Sequence, residues 1–227
     1  MTLTNQQKRI CEQVINVFES GTVAGKYGAI SIFDDGPHRE RQISYGRSQT
    51  TEYGNLEKLL EMYVNSNGLF SEKIKPYLPK IGVTPLVDNA VFKKLLVDAG
   101  NNDPVMQQVQ DQFFDEIYFQ PALDWMDDNG FVLPLSALVI YDSYIQSGSI
   151  MPFLRKRFPE RPPEKGGDEK KWISQYVDTR HNWLATHSNL LLQKTVYRTQ
   201  CFKNEIAKNN WYLNLLPVDA HDVDVYG

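Results

Sequence analysis

The chain has 227 residues, of which 41% are hydrophobic and 23% charged, proportions that suit a globular protein able to bury a substantial core. Its 24 Lys and Arg against 28 Asp and Glu give a formal net charge of -4, so bulk electrostatics favour a cationic or neutral partner and disfavour nucleic acid or an anionic membrane surface. No apolar run is long enough to span a bilayer, and the opening MTLTNQQKR lacks the apolar stretch of a signal peptide.

Thr4 followed by Gln7 forms a capping box, and Ile10, Val14, Val17 and Phe18 then recur at helical spacing up to Ser20-Gly21, which places Glu19 at the C-terminal end of the first helix. Tyr27 to Phe33 and Gln42 to Ser48 alternate, with the turn-forming DDGPHRER between them, and predict a small β-hairpin. Helical patterns follow over Asn55 to Val64 and Asn89 to Ala99. A long helix then starts from Asp103-Pro104 as N-cap and first residue, and another runs from Pro121 to Asn129. Pro134 to Ser147 is apolar enough to be a central buried helix, yet it carries Asp142, and a buried carboxylate needs a partner. Asp168 can cap a helix whose apolar face includes Trp172, Tyr176 and Leu184, and Arg180 on that face is the candidate partner. A final helix is expected over about Asn189 to Lys208; the tail from Asn210 shows alternation too weak to assign.

Familiar catalytic signatures are absent: no GxSxG, HExxH, Walker loop or GxGxxG, and no metal or triad spacing among His38, His181, His187 and His221. Cys11 and Cys201 have no zinc-ligand spacing; a single bridge between them stays open. No cofactor or metal is expected. Carboxylate chemistry remains. Glu19 faces the negative end of its helix dipole, which disfavours the ionised form, the direction a general acid requires. On position alone, a solvated terminal Glu is the more ordinary reading. Asp34 and Asp35 sit where the first strand gives way to Gly36-Pro37, a place where an Asp can hold a water as general base, or serve plain turn chemistry.

Glu19 in VFES, the Asp-Gly of the β segment, YGNLEKLLEMY leading to KPYLPKI, then IYFQPAL, VIYDSYIQSG, GGDEKKW, YVDTR and the closing Tyr226-Gly227 occur in an order that resembles the glycoside hydrolase family 46 chitosanases over almost the whole chain. The resemblance implies a mainly α, α+β fold of lysozyme-like type: a single domain spanning residues 1–227, with two helical lobes and a small β-hairpin or sheet beside the cleft. It implies an endo-acting glycosidase that cleaves β-1,4-linked amino-sugar polymer with inversion, Glu19 as acid and Asp35 as base, with Asp34 as the alternative if the register slips. It also implies a buried ionic network of Asp142 and Arg180, with Arg157 or Arg161 as a second cation, and it puts Asn55 where the family has an acid lining the cleft. The family's Asp-Gly-Arg-Gly-x-Thr is replaced here by Asp35-Gly36-Pro37-His38-Arg39-Glu40, so the water-holding Thr has no aligned counterpart, although Thr50 or Thr51 can approach from the next strand end.

Tyr45, Arg47, Thr50 and Asn55 are the expected substrate contacts, with Tyr27, Tyr53, Ser48 and Gln49 as further candidates around the hairpin; cross-strand packing accounts equally well for the tyrosines. Trp125, Trp172, Trp183 and Trp211 sit in apolar helical contexts and are expected in the core. The expected partner is a polysaccharide, chitosan or a peptidoglycan-type glycan, bound by a monomer in an extracellular or cell-wall setting, with no nucleic acid and no membrane involved. A glycan-binding protein without turnover on the same scaffold is the second reading. A nucleic-acid binder using Arg155-Lys156-Arg157 and Arg161 is disfavoured by the acidic chain.

Overall fold

The computed structural model describes residues 3–47 and 49–227; Ser48, one of the candidate contacts, lies outside the described residues. In chain order, helix α1 (Asn5–Ser20) leads into strands β1 (Ile30–Phe33), β2 (Gln42–Tyr45) and β3 (Thr50–Thr51). Helices α2 (Leu56–Asn65), the short α3 (Ser71–Ile74), α4 (Ala90–Asn102) and α5 (Pro104–Phe114) follow, then α6 (Gln120–Asp128) and α7 (Pro134–Ser147). The last part holds α8 (Pro152–Arg155), α9 (Glu169–Ala185), α10 (Leu190–Gln193), α11 (Val196–Ala207) and a hairpin of β4 (Val218–Asp219) and β5 (Asp224–Val225). The fold is mainly α with a small antiparallel sheet, as the periodicities predict. No helix among the described residues is long and apolar enough to cross a membrane. The chain divides into two compact units, Met1–Phe18 with Glu116–Gly227, and Glu19–Asp115.

In the unit Glu19–Asp115 the central strand is β2, buried along its whole length. It pairs with β1 from Ile30↔Tyr45 to Phe33↔Gln42 and with β3 at Tyr45↔Thr50, so the expected hairpin gains a third strand. Both strands are shorter than their alternation suggests. A turn closed by Ala29 N–H on the Lys26 carbonyl precedes β1, and one closed by Gln49 N–H on the Gly46 carbonyl follows β2. Leu56, Leu59, Leu60 and Tyr63 of α2, Phe92 and Leu96 of α4, and Met106 and Phe113 of α5 are all fully buried, each worth roughly 1.5–3 kcal/mol of hydrophobic transfer. Between these helices Asp103 is 1% exposed. It caps α5 by accepting from Val105 N–H at 2.9 Å, and its other oxygen accepts from the Tyr63 hydroxyl at 2.6 Å and Leu69 N–H at 2.7 Å, so both buried oxygens have a donor.

In the other unit, α1 starts with the expected capping box: Thr4 N–H donates to Gln7 Oε1 at 2.9 Å and Gln7 N–H to Thr4 Oγ1 at 3.2 Å. Asp168 caps α9 through Lys171 N–H at 2.8 Å. Trp125 and Trp172 pack at 5.8 Å beside Phe131. Helix α7 is buried from Pro134 through Ser143, and inside it Asp142 meets Arg180 Nη1 at 2.7 Å, the predicted pairing. The second cation is not Arg157 or Arg161, both of which are exposed. Arg157 lies over the Phe153 ring instead. The position is filled by Arg198 of α11, whose Nη2 and Nε reach Asp142 Oδ1 at 2.7 and 2.8 Å.

The expected final helix is two helices. At the break, the Thr195 hydroxyl donates to the Leu192 carbonyl at 2.7 Å and accepts from Gln146 Nε2 at 2.7 Å, a local bond that competes with the helical ladder. Cys11 and Cys201 are both buried and free, so the bridge left open by the sequence is not formed. The unassigned tail makes the β4–β5 hairpin, and Gly227 N–H ends on Gln13 Oε1 of α1 at 3.1 Å.

Removing Asp142 leaves two buried guanidinium groups without their counter-charge, so Asp142→Ala is expected to lower the unfolding free energy by about 3–5 kcal/mol, read by urea denaturation. Exposed Arg157→Ala should stay within about 0.5 kcal/mol of wild type. His181 of α9 sits 3.0 Å from Thr199 Oγ1. Burial, followed by Lys203, pushes its imidazole below the ordinary 6.5, against a smaller opposing pull from Asp178. The unfolded chain then takes up the proton more readily than the folded one, so this contribution to stability is complete above about pH 6.5 and is lost as pH falls below it. Comparing His181→Gln with wild type across pH 5 to 8 should show the difference in unfolding midpoint narrowing towards low pH.

Candidate active site

Helix α1 ends where the sequence places it, with Gly21 at φ 72° in the left-handed conformation that stops a helix at little steric cost to glycine. Glu19 is thereby held in the last turn, half-buried, and that turn carries no basic residue. The turn is fixed from α11. The Tyr197 hydroxyl donates to the Phe18 carbonyl at 2.9 Å, satisfying one of the carbonyls that a helix end leaves without an intrahelical donor. The Phe18 ring packs edge-on against Tyr197 and Phe202, and the Arg198 guanidinium lies 5.1 Å above it. The backbone that carries Glu19 is thus pinned one residue upstream by an aromatic and cationic clamp.

Asp35 stands on the loop between β1 and β2, exposed. The loop closes on itself: Arg39 N–H donates to the Gly36 carbonyl at 2.9 Å and Gly36 N–H to the Glu40 carbonyl at 3.0 Å, with Pro37 presetting the turn after Gly36. Glu40 accepts from His38 N–H at 2.6 Å, a bond that holds its carboxyl below the ordinary 4.5. Asp35 Oδ1 accepts from Gln42 Nε2 at 2.8 Å. Gln42 is 4% exposed, and its Oε1 accepts from Tyr53 N–H at 3.1 Å. Gly36 passes so close to its surroundings that a Cβ there would meet the Glu40 carbonyl oxygen at 2.8 Å and the Tyr53 ring at 3.2 Å. Asp34 is exposed too, and the bond to Gln42 distinguishes Asp35 from it.

The expected substrate contacts divide sharply. Tyr45 is fully buried and its hydroxyl donates to the Leu96 carbonyl at 2.7 Å, so it is a core residue and not a sugar contact. Thr50 is 4% exposed on β3 beside it and is likewise part of the sheet's packing. Arg47 is 5% exposed; its guanidinium pairs with Asp111 of α5 and lies 4.6 Å over the Phe114 ring, while Tyr27 OH donates to the same Asp111 at 3.0 Å. It braces the sheet against α5 instead of reaching substrate. Asn55 is exposed at the start of α2 and makes no side-chain cap, which leaves its amide available to a ligand.

Glu52, Glu57 and Gly82, which the sequence reading passed over, join Pro37 and the candidate contact Tyr53 near the Asp35 loop. A cavity of about 360 Å³ opens beside the loop, lined by Pro37, Glu52, Tyr53, Glu57 and Gly82 among others. Glu52 is 1% exposed and accepts from Leu86 N–H at 2.6 Å and Ile43 N–H at 3.3 Å; Glu57 is exposed. Burial, then Glu52 and Glu40, push the Tyr53 hydroxyl above its ordinary value. Among the described residues no group of three or more His, Cys, Asp and Glu is placed to hold a metal ion.

Residues 13–217 match the model of glycosyl hydrolase family 46. A chitosanase of Bacillus subtilis (strain 168) is 30% identical over 230 residues, covering 93% of this chain and 81% of that protein. Among solved structures, a mutant chitosanase from Bacillus subtilis MY002 complexed with 6 GlcN superposes with a TM-score of 0.82 at 27% identity, covering 95% of this chain and 94% of that one. A family 46 chitosanase from Gynuella sunshinyii complexed with chitotetraose shares the fold at a TM-score of 0.83 and 24% identity, with 98% of each chain covered.

The close approach of Gly36 to the Glu40 carbonyl and the Tyr53 ring makes the Asp35 loop intolerant of even one methyl group. Gly36→Ala should displace that loop and cut turnover by at least about tenfold, while costing only about 1–3 kcal/mol of stability. Initial-rate kinetics together with thermal unfolding separate the two effects.

Proposed function

The chain belongs to glycosyl hydrolase family 46 and so is a glycosidase, and we propose that it hydrolyses β-1,4-linked glucosamine polymer, chitosan, at internal bonds with inversion at the anomeric carbon. The observation that carries this reading is the different mounting of two carboxyl groups. Glu19 is half-buried in a clamped helix end, whereas Asp35 is exposed on a closed loop with one oxygen already bound by Gln42. The first environment suits a carboxyl that gives up a proton on demand, the second an ionised carboxylate that receives one.

In the proposed reaction the Glu19 carboxyl donates its proton to the glycosidic oxygen as the bond from that oxygen to the anomeric carbon breaks. Asp35 takes a proton from a water whose oxygen bonds to the same carbon from the opposite face. One water is consumed, and the new reducing end has the inverted configuration. This geometry calls for carboxyl groups about 6.5–9.5 Å apart. A cationic polymer also suits the chain's net charge of -4, and the relatives described above were solved with chitotetraose and with 6 GlcN bound. A polymeric substrate of this kind is met outside the cell, where we place the enzyme's action.

Release of reducing ends should be measured from chitosan and from purified peptidoglycan side by side. Glu19→Gln and Asp35→Asn are each expected to lower turnover on chitosan by at least about a thousandfold with binding of glucosamine oligomers retained, and proton NMR of the first products should show the inverted anomer. Near wild-type rates for Glu19→Gln would remove it as the acid. Turnover of peptidoglycan alone would change the substrate class, and binding without release would make the protein a glycan-binding scaffold.

A further inference from the structure

We infer that Gln42 is a positioning residue for Asp35: its side-chain amide, locked in one orientation by the Tyr53 backbone, holds one carboxylate oxygen and leaves the other to face the attacking water. The inference rests on the reading of Asp35 as the general base. The orientation of the amide follows from its partners. A backbone N–H can only donate, so the atom of Gln42 that meets Tyr53 N–H must be Oε1, and the atom left for Asp35 Oδ1 is the NH₂ group. Burial at 4% exposure and a place in the central strand, opposite Phe33, keep the side chain from swinging away.

A donor aimed at a carboxylate favours its ionised form and fixes its rotation. With the family's Thr lacking a counterpart in this loop, the strand beneath supplies the restraint. Further titratable and charged groups lie on its own loop and just beyond it. These are Asp34, His38, Arg39 and Glu40, with Glu40 engaged by the His38 amide, then Arg41, paired with Asp88 at 3.3 Å, and Glu52 and Tyr53. Among the described residues, the hydrogen bond to the Asp35 carboxylate comes from Gln42.

Two substitutions in the full chain separate positioning from mere packing. Gln42→Met removes both bonds at nearly constant volume. Gln42→Glu keeps an acceptor for Tyr53 N–H but turns the donor facing Asp35 into a second carboxylate. Folding of both is checked by circular dichroism and thermal unfolding, and chitosan hydrolysis is followed across pH. For each, kcat is expected to fall about ten- to a hundredfold with KM within about twofold, and the acidic limb of the kcat/KM profile to move up by about one pH unit or more. The alkaline limb, set by the proton donor, should stay in place.

A purely structural role predicts that Gln42→Glu, with the Tyr53 bond intact, keeps wild-type kcat and an unmoved acidic limb; that result overturns the inference. Asp35→Asn is measured in parallel. If Asp35→Asn is inactive while both Gln42 variants behave as wild type, the base assignment stands and the role of Gln42 fails alone. If Asp35→Asn is itself active, both fail together.

Discussion

Asp142 carries the charge around which the helices of its unit are arranged. Taking one carboxylate and two guanidinium groups out of water costs several kcal/mol per ion, and that cost is met only if each helix delivers its side chain to the same point: Asp142 from α7, Arg180 from α9, Arg198 from α11. Neighbouring hydroxyl and amide groups take further donors, with Arg180 bonded to Ser143 Oγ at 3.2 Å and to Gln146 Oε1, and Tyr176 OH donating to the same Ser143 at 2.8 Å. Arg198 then passes the constraint outward. Its guanidinium covers the Phe18 ring while the adjacent Tyr197 bonds the Phe18 carbonyl, so the register set by a buried charge reaches the residue just before Glu19.

The two candidate carboxyl groups therefore owe their positions to different kinds of restraint. Glu19 rides on the end of a sixteen-residue helix whose apolar face, from Ile10 to Phe18, is buried, and moving it means moving the helix. Asp35 stands on a short loop, and its carboxylate is oriented by one side chain that the sheet holds. That loop is held by its own turn bonds and by the Gln42, Tyr53 and Gly36 contacts, which decide where the second carboxylate points.

Much of this was legible in the sequence because the relevant signals are local. The Thr4–Gln7 box, the Asp103-Pro104 and Asp168 caps, and the apolar run with one acid at Asp142 each imply a physical need that a single partner type meets, and Arg180 followed from helical spacing alone. Arg198 was missed because nothing in sequence says which of several arginines reaches a buried acid. Gln42 was missed for a related reason. Strand alternation marks a position as inward or outward, but Gln42, Ile43, Ser44 and Tyr45 are all buried, so the alternation that suggested a half-exposed hairpin concealed a third strand and a polar side chain with two specific partners. The same burial explains Tyr45 and Thr50: Tyr45 lies in the central strand and is fully buried, and Thr50, paired with it on β3, is 4% exposed.

Arg47 changes the electrostatic argument about substrate. A solvated strand-end cation beside Asn55 would make the local environment less acidic than the whole chain and weaken the case for a polycationic glycan. The structure buries that guanidinium, with 6% of its side chain exposed, against Asp111, whose side chain is 49% exposed. The pair is internally neutralised and offers little positive potential to a ligand. Beside the Asp35 loop, Glu57 is exposed at the cavity that Glu52 also lines, and burial first, then Glu52 and Glu40, push the Tyr53 hydroxyl above its ordinary value. The acid missing at Asn55 is thus matched within the same unit by the exposed Glu57, in keeping with the net charge of -4.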